Sequence, residues 1–370
     1  MSAAASFTIT AVELCPLDLP LTDPFVVATG QLQVAHNAFV RLTLHDGTIG
    51  YGEIAPFPAI TGEHRESSME KARMLGQHLL GHSTLHYQQL GHDLSELAPD
   101  APAARCGLET ALLDALTRAL HVPLWALWGG ADVRARETDV TIPITSLART
   151  RELARHWYGR GFRLFKLKVG HNVDEDIRRL EMLHRDCAGV AFVIDPNQGY
   201  TREEAAALIK GVFRFGGNIL LLEQPLAKND LEGHAKIRRD FQVPVAADES
   251  AQCLRDLQAV IRHEAADYVN IKITKSGLLE GIVMATMAKA AGLRVMLGGM
   301  VETRVAMGCS YSLAMGLGNC PVLDLDTPLL LETDPIDGGY TYEGPWLQPW
   351  YGPGLDLKIP CFQAATFDSA

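Results

Sequence analysis

The stretch LFKLKVGHNVDEDIRRLEMLHRDCAGVAFVID, residues 164–195, decides how the chain is read. It opens on a short apolar run, Leu164–Val169, and closes on another, Ala191–Ile194. Between them, Val173–His184 carries apolar residues at helical spacing. Run, amphipathic helix and run in that order read as a parallel strand–helix–strand unit. Both runs end on charge, with Lys166 and Lys168 at the first and Asp195 at the second.

The same unit recurs on either side. A run at Val140–Ile144 precedes it, and runs at Ile219–Leu222, Val243–Ala247, Tyr268–Ile273, Val295–Leu297 and Val322–Leu325 follow. Helix-length segments, Ser146–Trp157 and Glu203–Val212 among them, separate most of the runs. Eight runs predict an α/β fold, a closed parallel (β/α) barrel, over residues 131–330.

Residues 1–130 read differently. Phe7–Leu19 and Asn37–Leu44 alternate as half-buried strands do, and Asp46-Gly47 is a hairpin signal. Ser67–Leu80 and Ala103–Leu120 have helical spacing. This is an α+β capping domain, and Trp125–Asp132, with Gly129-Gly130, marks its boundary. The Gly- and Pro-rich residues 331–370 are expected to pack back on that domain and complete it.

Composition sets outer bounds. The chain has 370 residues and is 47% hydrophobic, ample for a barrel and a second domain. A net charge of −11 speaks against a nucleic-acid partner. No apolar stretch reaches the roughly 20 residues of a membrane span. Met1–Thr10 has no signal-peptide pattern, so a cytoplasmic protein without membrane partners is expected. Seven scattered cysteines without a CxxC read as reduced thiols.

Function is written at the run ends. Glu223 closes the fourth run, Asp248 the fifth, Lys272 the sixth, and Asp324 and Asp326 the eighth. A single charge there only marks where a strand meets water. Five consecutive runs ending in Lys, Asp, Glu, Asp and Lys line the face where barrels carry their chemistry. Asp195, Glu223 and Asp248 offer three hard oxygen donors, suited to Mg2+, with Mn2+ the alternative ion. Without a His or Cys set, zinc is disfavoured. The competing reading is salt bridges from these carboxylates to Lys166 and Lys168.

Strands two and six oppose each other in a ring of eight, so Lys168 and Lys272 flank whatever lies between. One base removing a proton and an opposed acid returning one is the requirement for inverting a carbon. Lysine's reference pKa of about 10.4 must fall for that, and a neighbouring cation such as Lys166 lowers it. A metal-stabilised binding protein without turnover would need no opposed bases.

Phe165-Lys166-Leu167-Lys168 resembles the K-x-K motif of the enolase superfamily, muconate-lactonizing subgroup. Asp195-Pro196-Asn197-Gln198-Gly199, Glu223-Gln224-Pro225, Asp248-Glu249-Ser250 and Asn270-Ile271-Lys272 resemble its metal and second-base motifs, in order. The resemblance covers nearly the whole chain, including the N-terminal capping domain with Pro24-Phe25 and Gly52-Glu53, and implies a modified TIM barrel of the (β/α)7β type. It implies one Mg2+ on Asp195, Glu223 and Asp248, with Asn197 and Glu249 supporting them. It also implies that Lys168 and Lys272 are the acid/base pair and that Lys166 contacts the substrate carboxylate. Assembly as a homo-oligomer is left open.

Asp324-x-Asp326 resembles the motif by which dipeptide epimerases hold a free α-ammonium. The implied reaction is inversion of the α-carbon of a dipeptide's C-terminal residue, an isomerisation of an amino acid derivative. By the same resemblance Thr141, Gly299 and Val301 line the dipeptide. Cycloisomerase, N-acylamino acid racemase and o-succinylbenzoate synthase are the alternatives, and capping of the strand or binding of Arg304 is the bland reading of the two aspartates. Alanyl-glutamate epimerases carry an Arg after Pro-Phe. Here Phe25–Gly30 has no basic residue, and Gly30 stands in that place. With Ile60 on the second capping loop, an apolar side chain is expected in the substrate; His64 and Arg65 are the nearby sources of positive charge.

Overall fold

The computed structural model describes residues 5–360 and the backbone of 368 and 369. Cys361 lies outside them, and the six cysteines within them are free thiols.

The first domain begins with a hairpin longer than the sequence runs suggest. Ile9–Val27 pairs antiparallel with Gly30–Leu44, which pairs with Ile49–Ile54. Pro16, Pro20 and Pro24 interrupt the apolar alternation and hide the strand's second half. They are tolerated because the strand's other side is paired only in short patches, such as Glu13 and Leu14 with Ser369 and Asp368 and Leu21 with Leu331, and Pro20 contributes a carbonyl there, accepting from the Glu332 N–H at 2.9 Å. The register shifts between Pro20 and Phe25. Asp46 closes the next turn by accepting from the Thr48 N–H at 2.9 Å. Helices Arg65–Leu79, Tyr87–Leu97 and Pro102–Ala119 pack on this sheet, burying Val12, Leu14, Val40 and Leu42 against Leu75, Leu108 and Leu112.

Eight parallel strands follow: Val140–Ile142, Leu164–Lys168, Ala191–Asp195, Ile219–Glu223, Val245–Ala247, Tyr268–Ile271, Arg294–Leu297 and Val322–Leu323. They lie side by side in chain order. The Asp139 N–H donates to Leu323 O at 3.0 Å, joining the first strand to the last. Helices Leu147–Gly159, Val173–Asp186, Arg202–Arg214, Leu231–Phe241, Leu254–Arg262, Leu278–Ala290 and Arg304–Leu317 surround the strands. After the last strand comes only the short 3-10 turn Thr327–Leu330. This is an enolase-like modified TIM barrel.

The period of two along each strand sorts its side chains. Val140, Ile142, Phe165, Leu167, Phe192 and Ile194 face the helices. Val193, Leu221, Ala246 and Met296 fill the barrel interior. One step toward the C-terminal mouth on those same inward rows stand Asp195, Glu223 and Asp248. Charge at these positions is therefore carried on rigid strand ends above a packed plug.

The hairpin of the first domain reaches this mouth. Val26 O accepts from the Ile144 N–H at 3.0 Å, and Arg149 clamps Asp23 through two bonds of 3.0 and 2.8 Å. The chain after Leu331 returns to the first domain, where Asp114 accepts from the Leu355 N–H at 2.6 Å and Arg118 donates to Leu357 O at 3.0 Å. It also covers the helix Arg304–Leu317, whose Tyr311 hydroxyl donates to Leu347 O at 2.8 Å.

Candidate active site

Lys168, Asp195, Glu223, Asp248 and Lys272 end inward-facing rows, Lys166 stands one step below Lys168 on the same row, and all are buried. Burial of a charge is tolerated only with partners, and the partners are one another. Lys166 Nζ lies 2.6 Å from Asp324 Oδ2, 2.8 Å from Glu223 Oε2 and 3.2 Å from Asp195 Oδ2. Lys168 Nζ shares Asp195 Oδ2, at 2.6 Å. Lys272 Nζ lies 2.8 Å from Asp248 Oδ2. The salt bridges weighed as the competing reading of the three carboxylates are thus present, and the two readings share one set of residues.

The partners set the protonation tendencies. Burial opposes ionisation of Asp248, but Lys272 and Lys275 outweigh it and hold its carboxyl well below the usual range. Burial likewise opposes ionisation of Asp195, and Lys168 and Lys166 outweigh it. Glu223 is pushed up to about 7 by burial and by Asp195. Burial disfavours the charged form of Lys272, yet Asp248 keeps its ammonium above the ordinary value.

The donor set fits a hard divalent cation. Buried carboxyl groups of Asp139, Asp195, Glu223, Asp248, Glu249, Asp324 and Asp326 face only four buried ammonium groups, those of Lys166, Lys168, Lys272 and Lys275. Glu223 Oε2 and Asp248 Oδ2 have an ammonium at ion-pair distance but no hydrogen bond of good geometry. Asn197 donates to Glu249 at 3.3 Å, and its N–H donates to Asp195 Oδ1 at 2.9 Å, a supporting arrangement for a ligand set. Among the described residues, however, the three carboxylates that bring one oxygen each within 4.8 Å of one another are Asp139, Asp324 and Asp326. Asp195, Glu223 and Asp248 are each turned onto an ammonium instead.

Above the lysines lies a small cleft. Phe25, Val27, Thr29, Phe57, Ile60 and Met300 line it together with Lys168, Lys272, Asn197 and Gly299. The Phe25 ring centre is 5.7 Å from Lys168 Nζ. Gly30 sits at the hairpin tip, paired with Val27, and is not among the lining residues. Val301 packs with Leu19, Leu21 and Leu331 under the hairpin and lines a neighbouring cavity. Arg65 is paired with Asp18 at 2.5 Å, and His64 precedes the helix Arg65–Leu79 as its N-cap. Arg304 binds Asp334 and the carbonyls of Ile336, Gly338 and Tyr340, not Asp324 or Asp326. Asp326 instead accepts from the Thr141 N–H at 2.5 Å.

Further residues support the site. Lys275, one turn after Lys272, donates to Asp248 Oδ1 at 2.5 Å and to Asn270 O at 3.0 Å. Gln224 Oε1 accepts from the N–H groups of Asp248 and Ser250, both at 3.0 Å, fixing the end of the fifth strand. Glu53 of the first domain accepts from the Thr303 N–H at 3.0 Å and its hydroxyl at 2.7 Å, and so holds the loop bearing Gly299. A Cβ on Gly298 would lie 2.7 Å from Asn270 Oδ1 and 3.0 Å from Asp324 Oδ2, so only glycine lets these side chains meet.

Known proteins are similar to this chain. Residues 149–360 match the family model described as enolase C-terminal domain-like. Residues 9–129 match that of the mandelate racemase / muconate lactonizing enzyme N-terminal domain. An aromatic dipeptide epimerase of Herpetosiphon aurantiacus is 40% identical over 92% of this chain and 96% of its own. An L-Ala-D/L-amino acid epimerase of Populus trichocarpa is 40% identical over 89% of this chain and 79% of its own. The crystal structure of a dipeptide epimerase from Enterococcus faecalis, complexed with Mg and L-Leu-L-Tyr, superposes with a TM-score of 0.91 at 28% identity, over 95% of this chain and 99% of that one.

Proposed function

We propose that this chain, which belongs to the mandelate racemase / muconate lactonizing enzyme family of the enolase superfamily, is an isomerase that epimerises dipeptides with apolar side chains. The α-carbon of the C-terminal residue inverts by a 1,1-proton transfer. The carrying observation is that Lys168 and Lys272 line one cleft from strands four places apart.

Each residue then has a task. The dipeptide's carboxylate lies against Lys166, and its ammonium against Asp324 and Asp326. This places the α-carbon between Lys168 and Lys272. One Nζ takes the α-proton, and the other returns a proton on the opposite face. Their roles exchange with the configuration of the substrate. Lys166 and Lys168 share one oxygen of Asp195, which fixes both Nζ atoms at the mouth. Asp195, Glu223 and Asp248 would hold Mg2+, with Asn197 and Glu249 behind them. Such an ion supplies positive charge beside the carboxylate oxygens as the α-proton leaves.

Selectivity follows from the cleft's walls. Phe25, Val27, Phe57, Ile60 and Met300 present hydrocarbon to the side chain of the inverting residue. A carboxylate held against these five side chains would lose its hydration without an ion-pair partner among them. Alanyl-glutamate is therefore a poor substrate, and leucyl or aromatic dipeptides are good ones. Gly299 and Thr141 line the dipeptide from the mouth's other strands.

Chiral chromatography of a dipeptide panel after incubation with Mg2+, and again after chelation, tests this reading. Mixed L,L and L,D products from apolar dipeptides are expected with the metal only. Unchanged configuration across the panel refutes it.

A further inference from the structure

We propose that Asp139 completes the ammonium pocket. In this proposal Asp139 and Asp326 act as one unit holding a single proton, so that together they present one negative charge to the dipeptide's amino group. The inference rests on the dipeptide reading above.

Asp139 precedes the first barrel strand and shares the inward parity of Thr141. Its N–H closes the barrel onto Leu323 O, which pins the side chain inside. The Asp139 side chain is fully buried, and neither of its oxygens has a hydrogen-bond partner. Asp326 Oδ2 accepts from Thr141, but Asp326 Oδ1 is buried without a partner. One oxygen from each of Asp139, Asp324 and Asp326 lies within 4.8 Å of the other two. A buried acceptor left bare is costly, so bare oxygens on two members of this close carboxylate group mark a place built for a donor.

Local charge says how many donors. Asp324 already has an ammonium beside it, that of Lys166 at 2.6 Å, which it shares with Glu223 and Asp195. Asp139 and Asp326 then face a single incoming ammonium. Two ionised carboxylates this close in a low dielectric repel strongly. One proton on the pair removes that repulsion and leaves one charge, equal and opposite to the ligand. Burial, and after it Asp324, push both groups up: Asp139 well above the ordinary range, Asp326 to about 7. The other groups facing the pair are Lys166, Glu223 and the Tyr342 hydroxyl, which donates to Leu325 O at 2.5 Å. The pair titrates as a unit, not as two independent acids.

KM and kcat of Asp139→Asn, Asp326→Asn and the double variant, on a dipeptide that the wild type epimerises, test this. In each single variant the remaining carboxylate ionises and carries the charge alone. KM then rises about three- to tenfold, with kcat within about twofold. The double variant has no charge left, and its KM exceeds the product of the single effects by about tenfold or more. Melting temperatures at or above wild type accompany all three, because neutral amides replace buried acids. Purely multiplicative effects overturn the proposal, as does an Asp139→Asn enzyme with wild-type KM. If the double variant does not fold, the pH profile decides. The wild-type KM titrates with the pair, whereas in Asp139→Asn that titration is lost; identical profiles overturn the proposal. A wild type that epimerises no dipeptide refutes the functional reading instead, which keeps the two failures apart.

Discussion

Lys168 and Lys272 line the same cleft from strands four apart in the ring, each held by a carboxylate on an adjacent strand, Asp195 at 2.6 Å and Asp248 at 2.8 Å. Two bases on opposite faces of one carbon have separate jobs. Lys168→Ala and Lys272→Ala each lower epimerisation by roughly 10³-fold or more, since neither can both remove and return the proton. Each variant still exchanges the α-proton of the one epimer that its surviving lysine deprotonates. Deuterium uptake measured separately on the L,L and L,D epimers checks this, and exchange of both epimers by either variant contradicts the two-base assignment.

Asp324 ties Lys166 to the ammonium pocket. Asp324→Asn removes an ionic hydrogen bond of about 1.5–3 kcal/mol. KM for free-amine dipeptides is therefore expected to rise roughly ten- to a hundredfold. Steady-state kinetics on one apolar dipeptide decide this. An unchanged KM would assign Asp324 to strand capping alone.

The apolar cleft predicts a specificity exchange. In Ile60→Arg, a guanidinium enters a wall otherwise made of Phe25, Val27, Phe57 and Met300. The ratio of kcat/KM for a C-terminal Glu over a C-terminal Leu should rise about tenfold or more, partly by penalising the apolar side chain. Competition between the two dipeptides in one tube measures the ratio directly. A ratio that does not move means that Ile60 does not face the inverting residue.

Stability should depend on pH through Glu109. This carboxyl sits at the start of the helix Leu278–Ala290, accepting from the Leu279 N–H at 3.0 Å, and burial pushes it up to about 7. Its folded value is above its unfolded one, so the folded state binds more protons between the two. Its contribution is complete below about pH 4.5 and is lost as pH rises through about 7. The loss is on the order of 3 kcal/mol. Between pH 5 and 8 the melting temperature of Glu109→Gln should therefore fall less than that of wild type. Equal falls would remove Glu109 as the source.

Much of this site was legible because strands keep a period of two. Once a run is placed, its last inward residue is fixed, and Lys168, Asp195, Glu223, Asp248 and Lys272 follow. Asp139 was not legible, since it precedes its run and meets Asp324 and Asp326 only when the barrel closes. Lys275 was hidden for a related reason: Asp248 and the Asn270 carbonyl meet it only in the fold. The long first hairpin was masked by its prolines, which break the alternation without breaking the edge strand. Val301 and Gly30 were placed by resemblance, and their side-chain positions depend on how the hairpin packs. Arg304 looked available to Asp324 until its bonds to Asp334 and the following carbonyls were seen.

The central claim is proton transfer at the α-carbon of a dipeptide, and proton NMR in D2O tests it most directly. An L,L dipeptide with apolar side chains, such as L-Leu-L-Tyr, is incubated with the enzyme and Mg2+. The expected result is a growing L,D epimer that carries deuterium at the C-terminal α-carbon and none at the N-terminal one. An epimer without deuterium, deuterium at the wrong α-carbon, or no change in any apolar dipeptide contradicts the account.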